Sequence, residues 1–321
     1  MLCTTSCGET SDKGVETKFE TVSSVVVVHL RDAAEKIRIR VCIGQESRLD
    51  RNARRFRARL LLDDRTDHIV AHHHHRAHRV VGADGRLKGN TQCAYILALK
   101  FNLLPADVRP KAAQYLAEDI KAKGDHLSTG FVGVSFLLPV LTQADKTELA
   151  YRLLQQDTFP SWLFSVKQGA TTIWERWDGW TPDKGFQDPG MNSFNHYSLG
   201  SCGEYLFGYI GGIRPSAPGF KSILIEPMIR DGLSWAKTTY TSIHGPISTF
   251  WKRTDKHLEL DVVVPANTTA SICLPATDVA TVTESGKRIG KTKGVTFLRA
   301  EGENVWLEAG SGTYKFASNL R

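Results

Sequence analysis

The chain reads as a helical part followed by a β part, and three patterns carry that reading. From residue 84 to about residue 212, apolar residues recur with the helical period behind recognisable caps. Beyond Pro215 they alternate with polar residues in short runs punctuated by glycine. Near the junction, the stretch from Gln168 to His196 concentrates tryptophan and acid in a sequence too rich in Pro and Gly for regular structure. Helices joined by short connections, with one long loop at an end, fit a toroid of αα-hairpins. Short strands at regular spacing fit an antiparallel β-sandwich of about a hundred residues.

Residues 1–82 stand apart from both. Ser23 to Leu30 reads as a strand and Arg31 to Arg40 as a short helix. Six arginines fall between Arg48 and Arg59, and His72 to His75 form a tract with His68 and His78 nearby. Imidazoles bind zinc and nickel. Consecutive histidines point in different directions, however, and no His-Glu-x-x-His spacing occurs, so a solvated low-complexity tract is expected and no metal site. A shifted reading frame would also yield such a stretch, a hypothesis that the genomic sequence upstream of the Asp84 codon tests.

Helical punctuation begins after Asp84. Asn90 suits an N-cap, followed by Ala94, Leu97, Ala98 and Phe101 on one face. Pro110 suits a first helical turn and Gly124 a stop, with Ala113, Leu116, Ala117 and Ile120 between them. Gly133 to Leu141 is a third, mostly buried helix. Asp145 with Glu148 resembles a capping box for Lys146 to Gln155, whose Leu149, Leu153 and Leu154 face inward. Ser201 to Ile210 is the fifth. Strands are expected at Ser222 to Pro227, Ala236 to Tyr240, Gly245 to Lys252, His257 to Val264 and Thr269 to Leu274, with more between the glycines from Gly286 to Gly312.

In the loop, Trp174, Trp177 and Trp180 are interleaved with Glu175, Arg176 and Asp178. Indole faces stack on the apolar face of a pyranose, while carboxylates take hydroxyl protons or activate water. A buried tryptophan cluster with outward-facing polar neighbours accounts for the same residues.

Several segments, in order, resemble the inverting α-L-rhamnosidases of glycoside hydrolase family 78. They are Gly89-Asn90-Thr91-Gln92, Thr129 to Gly133, Leu137 to Leu141, Gln168 to Asp178, Met191 to Tyr197, and Gly212 to Pro215 with Pro218 to Lys221. The resemblance implies a six-hairpin (α/α)6 glycosidase fold with a C-terminal β-sandwich, acting on terminal α-L-rhamnose. It makes Glu175 the general base and His196 a contact to the sugar. Trp174 or Trp177 would form a stacking wall, and Asn195, with Asn192, would bind hydroxyls or shape the loop. Asp178 and Asp188 read as turn or cap residues. The family's general acid falls upstream of the matching region, and Asp63, Asp64, Asp178 and Asp183 do not correspond to it. About five helices are visible where a closed toroid takes twelve. The expectation is therefore residues 83–215 as the C-terminal portion of a catalytic barrel and 216–321 as the sandwich, in a longer enzyme or a truncated reading frame.

A composition 41% hydrophobic and 23% charged is that of a globular protein. The net charge of +7 comes mainly from Arg48 to Arg79 and not from a basic stripe between aromatics, so no nucleic-acid partner is expected. Val25 to Val28 is too short to span a membrane, and no convincing signal peptide opens the chain. Six scattered cysteines lack a CxxC pair, which argues against a disulfide framework and for buried thiols at Cys93 and Cys202. No cofactor is expected, and the expected partner is a carbohydrate. Two other readings stay open: a different (α/α)6 glycosidase, or a non-catalytic carbohydrate-binding remnant.

Overall fold

The computed structural model describes residues 24–30, 38–43, 81–82 and 84–320; the arginine and histidine tracts, with Asp63 and Asp64, lie outside them. Two compact units result. Strands β1 (Ser24–Leu30) and β2 (Arg38–Ile43) belong with residues 203–320, and residues 81–202 form the other unit. The expected strand at Ser23 to Leu30 is present. Arg38 to Arg40, expected to end a helix, instead open β2, where they pair with Val27, Val28 and His29.

The helical unit holds α1 (Gln92–Lys100), α2 (Arg109–Ala122), α3 (Phe131–Gln143), α4 (Thr147–Gln155) and α5 (Trp162–Lys167). Helix α3 packs on α1 and α4, and α1 on α2. Thr91, and not Asn90, caps α1: its hydroxyl accepts from the Ala94 N–H at 3.2 Å. Asn90 sits one residue earlier in left-handed backbone, accepting from the Tyr95 hydroxyl at 3.0 Å. The buried residues are accordingly Gln92, Tyr95, Ile96 and Ala98, and Phe101 is exposed.

Helix α2 follows its pattern, with Pro110 in the first turn, the four expected residues buried and Gly124 left-handed after the last turn. Leu149, Leu153 and Leu154 of α4 are buried, but the capping box does not form. Asp145 adopts φ 57° and leaves Lys146 at the cap without a side-chain bond. Helix α5 is additional; the Ser161 hydroxyl caps it by accepting from the Phe164 N–H at 3.1 Å. Its six residues are too few to show a period.

Two buried groups carry α1 and α3 into the site. Gln92 donates to the His126 carbonyl at 3.2 Å and accepts from the Ser128 N–H at 2.6 Å, fixing the chain just before Thr129. Opposite, Gly133 leaves room for Thr129: a Cβ there would lie 2.3 Å from the threonine hydroxyl. The loop beyond α5 contains the two-residue strands β3 (Trp180–Thr181) and β4 (Gly185–Phe186), which pair with each other, and a 3₁₀ turn at Pro189–Met191.

The expected fifth helix is broken into a 3₁₀ turn at Ser198–Ser201, one α-turn, α6 (Cys202–Tyr205), and a wide π-turn at Leu206–Ile210. After it come β5 (Ile213–Pro215), β6 (Ser222–Ile225), β7 (Leu233–Ser242), β8 (Gly245–Arg253), β9 (His257–Val264) and β10 (Thr269–Pro275). The last strands are β11 (Thr283–Glu284), β12 (Lys287–Arg288), β13 (Val295–Glu301), β14 (Asn304–Ala309) and β15 (Gly312–Asn319).

They form an eight-stranded sheet, β12-β11-β15-β9-β8-β7-β1-β2, and a five-stranded one, β13-β14-β10-β6-β5. The sandwich is not wholly antiparallel, because β6 and β10 run parallel. Leu258, Leu260, Val262 and Val264 on one sheet and Ala270, Ile272, Leu274, Val305 and Leu307 on the other are buried, the alternation of half-covered sheets. At the entry to β5, Gly212 has φ 75°, and a Cβ there would stand 2.3 Å from the Pro227 nitrogen. Only glycine fits that turn.

Candidate active site

A cleft of about 440 Å³ opens in the helical unit. Thr129 and Phe131 line it from the start of α3, Phe159 from the α4–α5 connection, and Glu175, Trp177 and Asp178 from the long loop.

Glu175 owes its position to backbone pairing between two segments of that loop. Its N–H donates to the Ser193 carbonyl at 2.8 Å, and the Ser193 N–H returns to Glu175 Oε2 at 2.7 Å. Nearby, the His196 N–H donates to the Ile173 carbonyl at 2.9 Å, and the Thr172 hydroxyl donates to the Phe194 carbonyl. The carboxylate is half-buried, with Oε2 held and Oε1 without a protein hydrogen bond among the described residues. An N–H to carboxylate bond is charge-assisted, so it fixes the side chain more firmly than a neutral one would.

The indoles take different places. Trp177 lines the cleft and donates through Nε1 to the Thr129 carbonyl at 3.1 Å, while its ring meets Trp162 edge-on at 5.5 Å. Trp162 is buried and donates to the Leu199 carbonyl at 2.7 Å. Trp174 is only 7% exposed, packs edge-to-face on Phe194 at 5.2 Å, and lies outside the cleft lining. Trp180 belongs to β3. His196 is not in the cleft lining itself; it stacks between two rings, 4.7 Å from the cleft residue Phe131 and 5.4 Å from Tyr197, both within 11° of parallel. Its Nδ1 accepts from the Ser198 N–H at 3.3 Å, which leaves the proton of the neutral ring on Nε2.

Arg176, the cation closest in sequence to Glu175, turns instead to Asp178 in a two-pronged pair at 2.9 and 3.1 Å. Asp178 beside it raises the guanidinium above its ordinary pKa. Asp178 is therefore a salt-bridge partner and not a turn cap, whereas Asp188 caps a 3₁₀ turn by accepting from the Gly190 N–H at 2.8 Å. Asn192 braces the loop through its amide, donating to the Gly179 carbonyl at 2.8 Å. Asn195 is exposed; its N–H donates to the Ser193 hydroxyl at 3.2 Å, and it does not line the cleft. Asp183 is exposed in the β3–β4 turn.

Sequence reasoning gave no role to Phe131, Phe159 or Ser193. Phe131 sits in the quoted Thr129 to Gly133 segment, so its place was marked without its part. Phe159 and the Ser193 N–H carried no signal, since a backbone donor can belong to any residue type.

Among the described residues, no three His, Cys, Asp or Glu side chains cluster as metal ligands, and no helix is long and apolar enough to cross a membrane. Cys93, Cys202 and Cys273 are free thiols. Burial pushes Cys202 up to about 12, and burial with the Glu226 charge does the same for Cys273.

Packed helices with an acid-and-indole loop, followed by a β-rich unit, are the arrangement of part of a six-hairpin glycosidase fold. Sequence comparison agrees. Residues 10–210 match the bacterial alpha-L-rhamnosidase six-hairpin glycosidase domain, and residues 212–288 the bacterial alpha-L-rhamnosidase C-terminal domain. The chain belongs to the bacterial α-L-rhamnosidase family. The match starts far upstream of Asp84, where inspection of the sequence found none of the family's segments.

An α-L-rhamnosidase of Streptomyces avermitilis is 46% identical over 236 residues, 74% of this chain and 22% of that protein. One from Formosa agariphila is 38% identical over 226 residues, 70% of this chain and 24% of its own length. The crystal structure of the Streptomyces avermitilis enzyme complexed with L-rhamnose superposes with a TM-score of 0.69 at 45% identity, over 74% of this chain and 22% of that one. The native Aspergillus terreus enzyme gives 0.64 at 30% identity, over 74% and 25%. The chain thus spans about a quarter or less of the length of these relatives.

Proposed function

We propose that the cleft is an α-L-rhamnoside site and that Glu175 is the general base of an inverting hydrolysis. The observation that carries this reading is the Glu175 carboxylate in the cleft wall, with Oε2 fixed by the Ser193 N–H and Oε1 left for a water. A base must present one oxygen along the line of attack, and a carboxylate pinned through its other oxygen is prepared for that. Trp177 supplies the stacking wall. His196, clamped between the cleft residue Phe131 and Tyr197 just behind the lining, has Nε2–H free to donate to a sugar hydroxyl at the cleft edge. Asn195 stays a candidate for hydroxyl binding at the exposed edge, and buried Trp174 shapes the wall from behind.

Inversion requires a second carboxyl about 6.5–9.5 Å from the base to protonate the leaving oxygen. Among the described cleft residues the other carboxylate is Asp178, and the Arg176 fork engages both of its oxygens. That pairing favours a second reading, in which the chain binds rhamnose without turning it over. Losing general-acid assistance typically costs about 10²–10⁴-fold in rate.

The test pairs hydrolysis of an aryl glycoside panel with L-rhamnose calorimetry on the same chain. Release of rhamnose from the α-L-rhamnoside alone, with inverted configuration in the first-formed product, is the expected result. Turnover of other glycosides but not the rhamnoside would replace it with another six-hairpin specificity. Binding without turnover would leave the carbohydrate-binding reading.

A further inference from the structure

The β unit has a pocket of its own, about 270 Å³ in volume. Phe207 and Tyr209 of the π-turn, Phe220 ahead of β6 and Tyr240 of β7 form its aromatic wall, all half-buried. Phe220 and Tyr240 lie 4.6 Å apart at 36°, and Phe207 meets Tyr240 edge-on at 6.5 Å. In the same unit Trp251 and Phe316 are buried almost completely, while Trp235, Phe250 and Trp306 are half-buried and Phe297 is exposed.

Phe220 adds an independent sign. Its φ of 62° places a bulky residue in left-handed backbone, which is costly and concentrates at binding and catalytic sites. Its neighbour Gly219 is left-handed as well, so the turn is built to deliver that ring. Two segments singled out in the sequence, Gly212 to Pro215 and Pro218 to Lys221, both reach this pocket, and the cleft uses neither.

The polar groups narrow the ligand. Arg214 is already committed: its guanidinium lies over the Tyr209 ring at 4.8 Å, donates to the Gly208 carbonyl at 3.0 Å and pairs with Glu226. Glu204 and the Tyr240 hydroxyl line the pocket and take no hydrogen bond from the described residues. The Glu204 carboxylate opposes an anion, and the Arg214 charge is balanced by Glu226. An uncharged ligand with one apolar face for the rings and hydroxyls for a carboxylate and a phenol satisfies every group. The volume is just below the roughly 300–1,000 Å³ of sites for drug-sized ligands, which suits one sugar ring.

We propose that this pocket is a second, non-catalytic site for a single neutral pyranose. It needs neither Glu175 nor His196, so it stands or falls separately from the cleft.

Methyl-labelled isoleucine NMR on the whole chain tests it, because Ile213 lines the pocket and Ile173 accepts the His196 N–H beside the cleft. L-rhamnose, D-glucose and D-galactose are the probes. At least one should shift Ile213 saturably, with the same affinity in Glu175→Gln. Glu204→Gln, a change at an exposed side chain, should weaken that response by about threefold or more, because an amide oxygen accepts a sugar hydroxyl less strongly than a carboxylate does. Phe220→Ala should weaken it too.

No saturable Ile213 shift with any of the three, an unchanged response in Glu204→Gln, or a shift with tetramethylammonium but no sugar would each overturn the proposal. Movement of Ile173 alone defeats the pocket and spares the cleft, and movement of Ile213 alone does the reverse.

Discussion

In the β unit, Trp251 is fully buried and donates through Nε1 to the Ile210 carbonyl at 2.7 Å; in the cleft, half-buried Trp177 makes the same kind of bond to the Thr129 carbonyl at 3.1 Å. Around Trp251 the strands alternate buried and exposed residues, and most backbone polar groups are paired within the ladders. Around Trp177 there is almost no regular structure. Individual bonds hold the loop instead: Ser193 to Glu175, Asn192 to Gly179, Arg176 to Asp178. Burial can hold a scaffold, but it cannot leave a carboxylate and an indole facing a cleft. The site is therefore built where specific hydrogen bonds substitute for packing.

If that contrast is right, the two tryptophans respond differently. Trp251→Ala should cost about 3–5 kcal/mol of stability by opening a large cavity and orphaning the Ile210 carbonyl. Urea titration followed by circular dichroism reads it, and a loss below about 1 kcal/mol would refute the packing account. Gly212→Ala comes next at about 2–5 kcal/mol, since it meets both left-handed backbone and the Pro227 nitrogen. Gly185→Ala, left-handed but with open space around it, is its control and should cost about 1–2 kcal/mol.

Trp177→Phe should lower stability by only about 0.5–1.5 kcal/mol, the worth of one hydrogen bond. It should weaken rhamnose affinity measurably by calorimetry, because its ring faces the cleft. A last effect is alkaline and absent at neutral pH. Cys202 and Cys273 hold their protons up to about 12 in the fold but release them near 9 when unfolded. Between those pH values the folded state binds more protons, so stability falls as pH rises. Melting temperatures measured across that window should decline, and Cys273→Ser should flatten the decline.

The same contrast decides what the sequence discloses. The α2 face from Ala113 to Ile120 and strand β9 from His257 to Val264 could be read directly, because a repeating burial pattern leaves a period. Caps were legible only by residue type: Asn90 resembled one, but its neighbour Thr91 supplies the bond. The pairing of β1 with β7 is a contact across the whole chain that no local pattern carries. In the site, Glu175, His196 and Trp177 stood out by motif, while Trp174 carried the same signal and is packed away. An indole's orientation depends on partners such as Phe194 and Thr129, which only the fold brings near. The Ser193 N–H that aims Glu175 left no trace in residue identity.

The most direct measurement is the rate of rhamnose release from an aryl α-L-rhamnoside by the chain and by Glu175→Gln. Glutamine keeps the side chain's shape and can still accept from the Ser193 N–H, so melting should be unchanged while kcat falls by at least about a hundredfold. A variant that turns over at a near-native rate would contradict the assignment of Glu175, and a native chain that neither releases nor binds rhamnose would contradict the rhamnoside cleft itself.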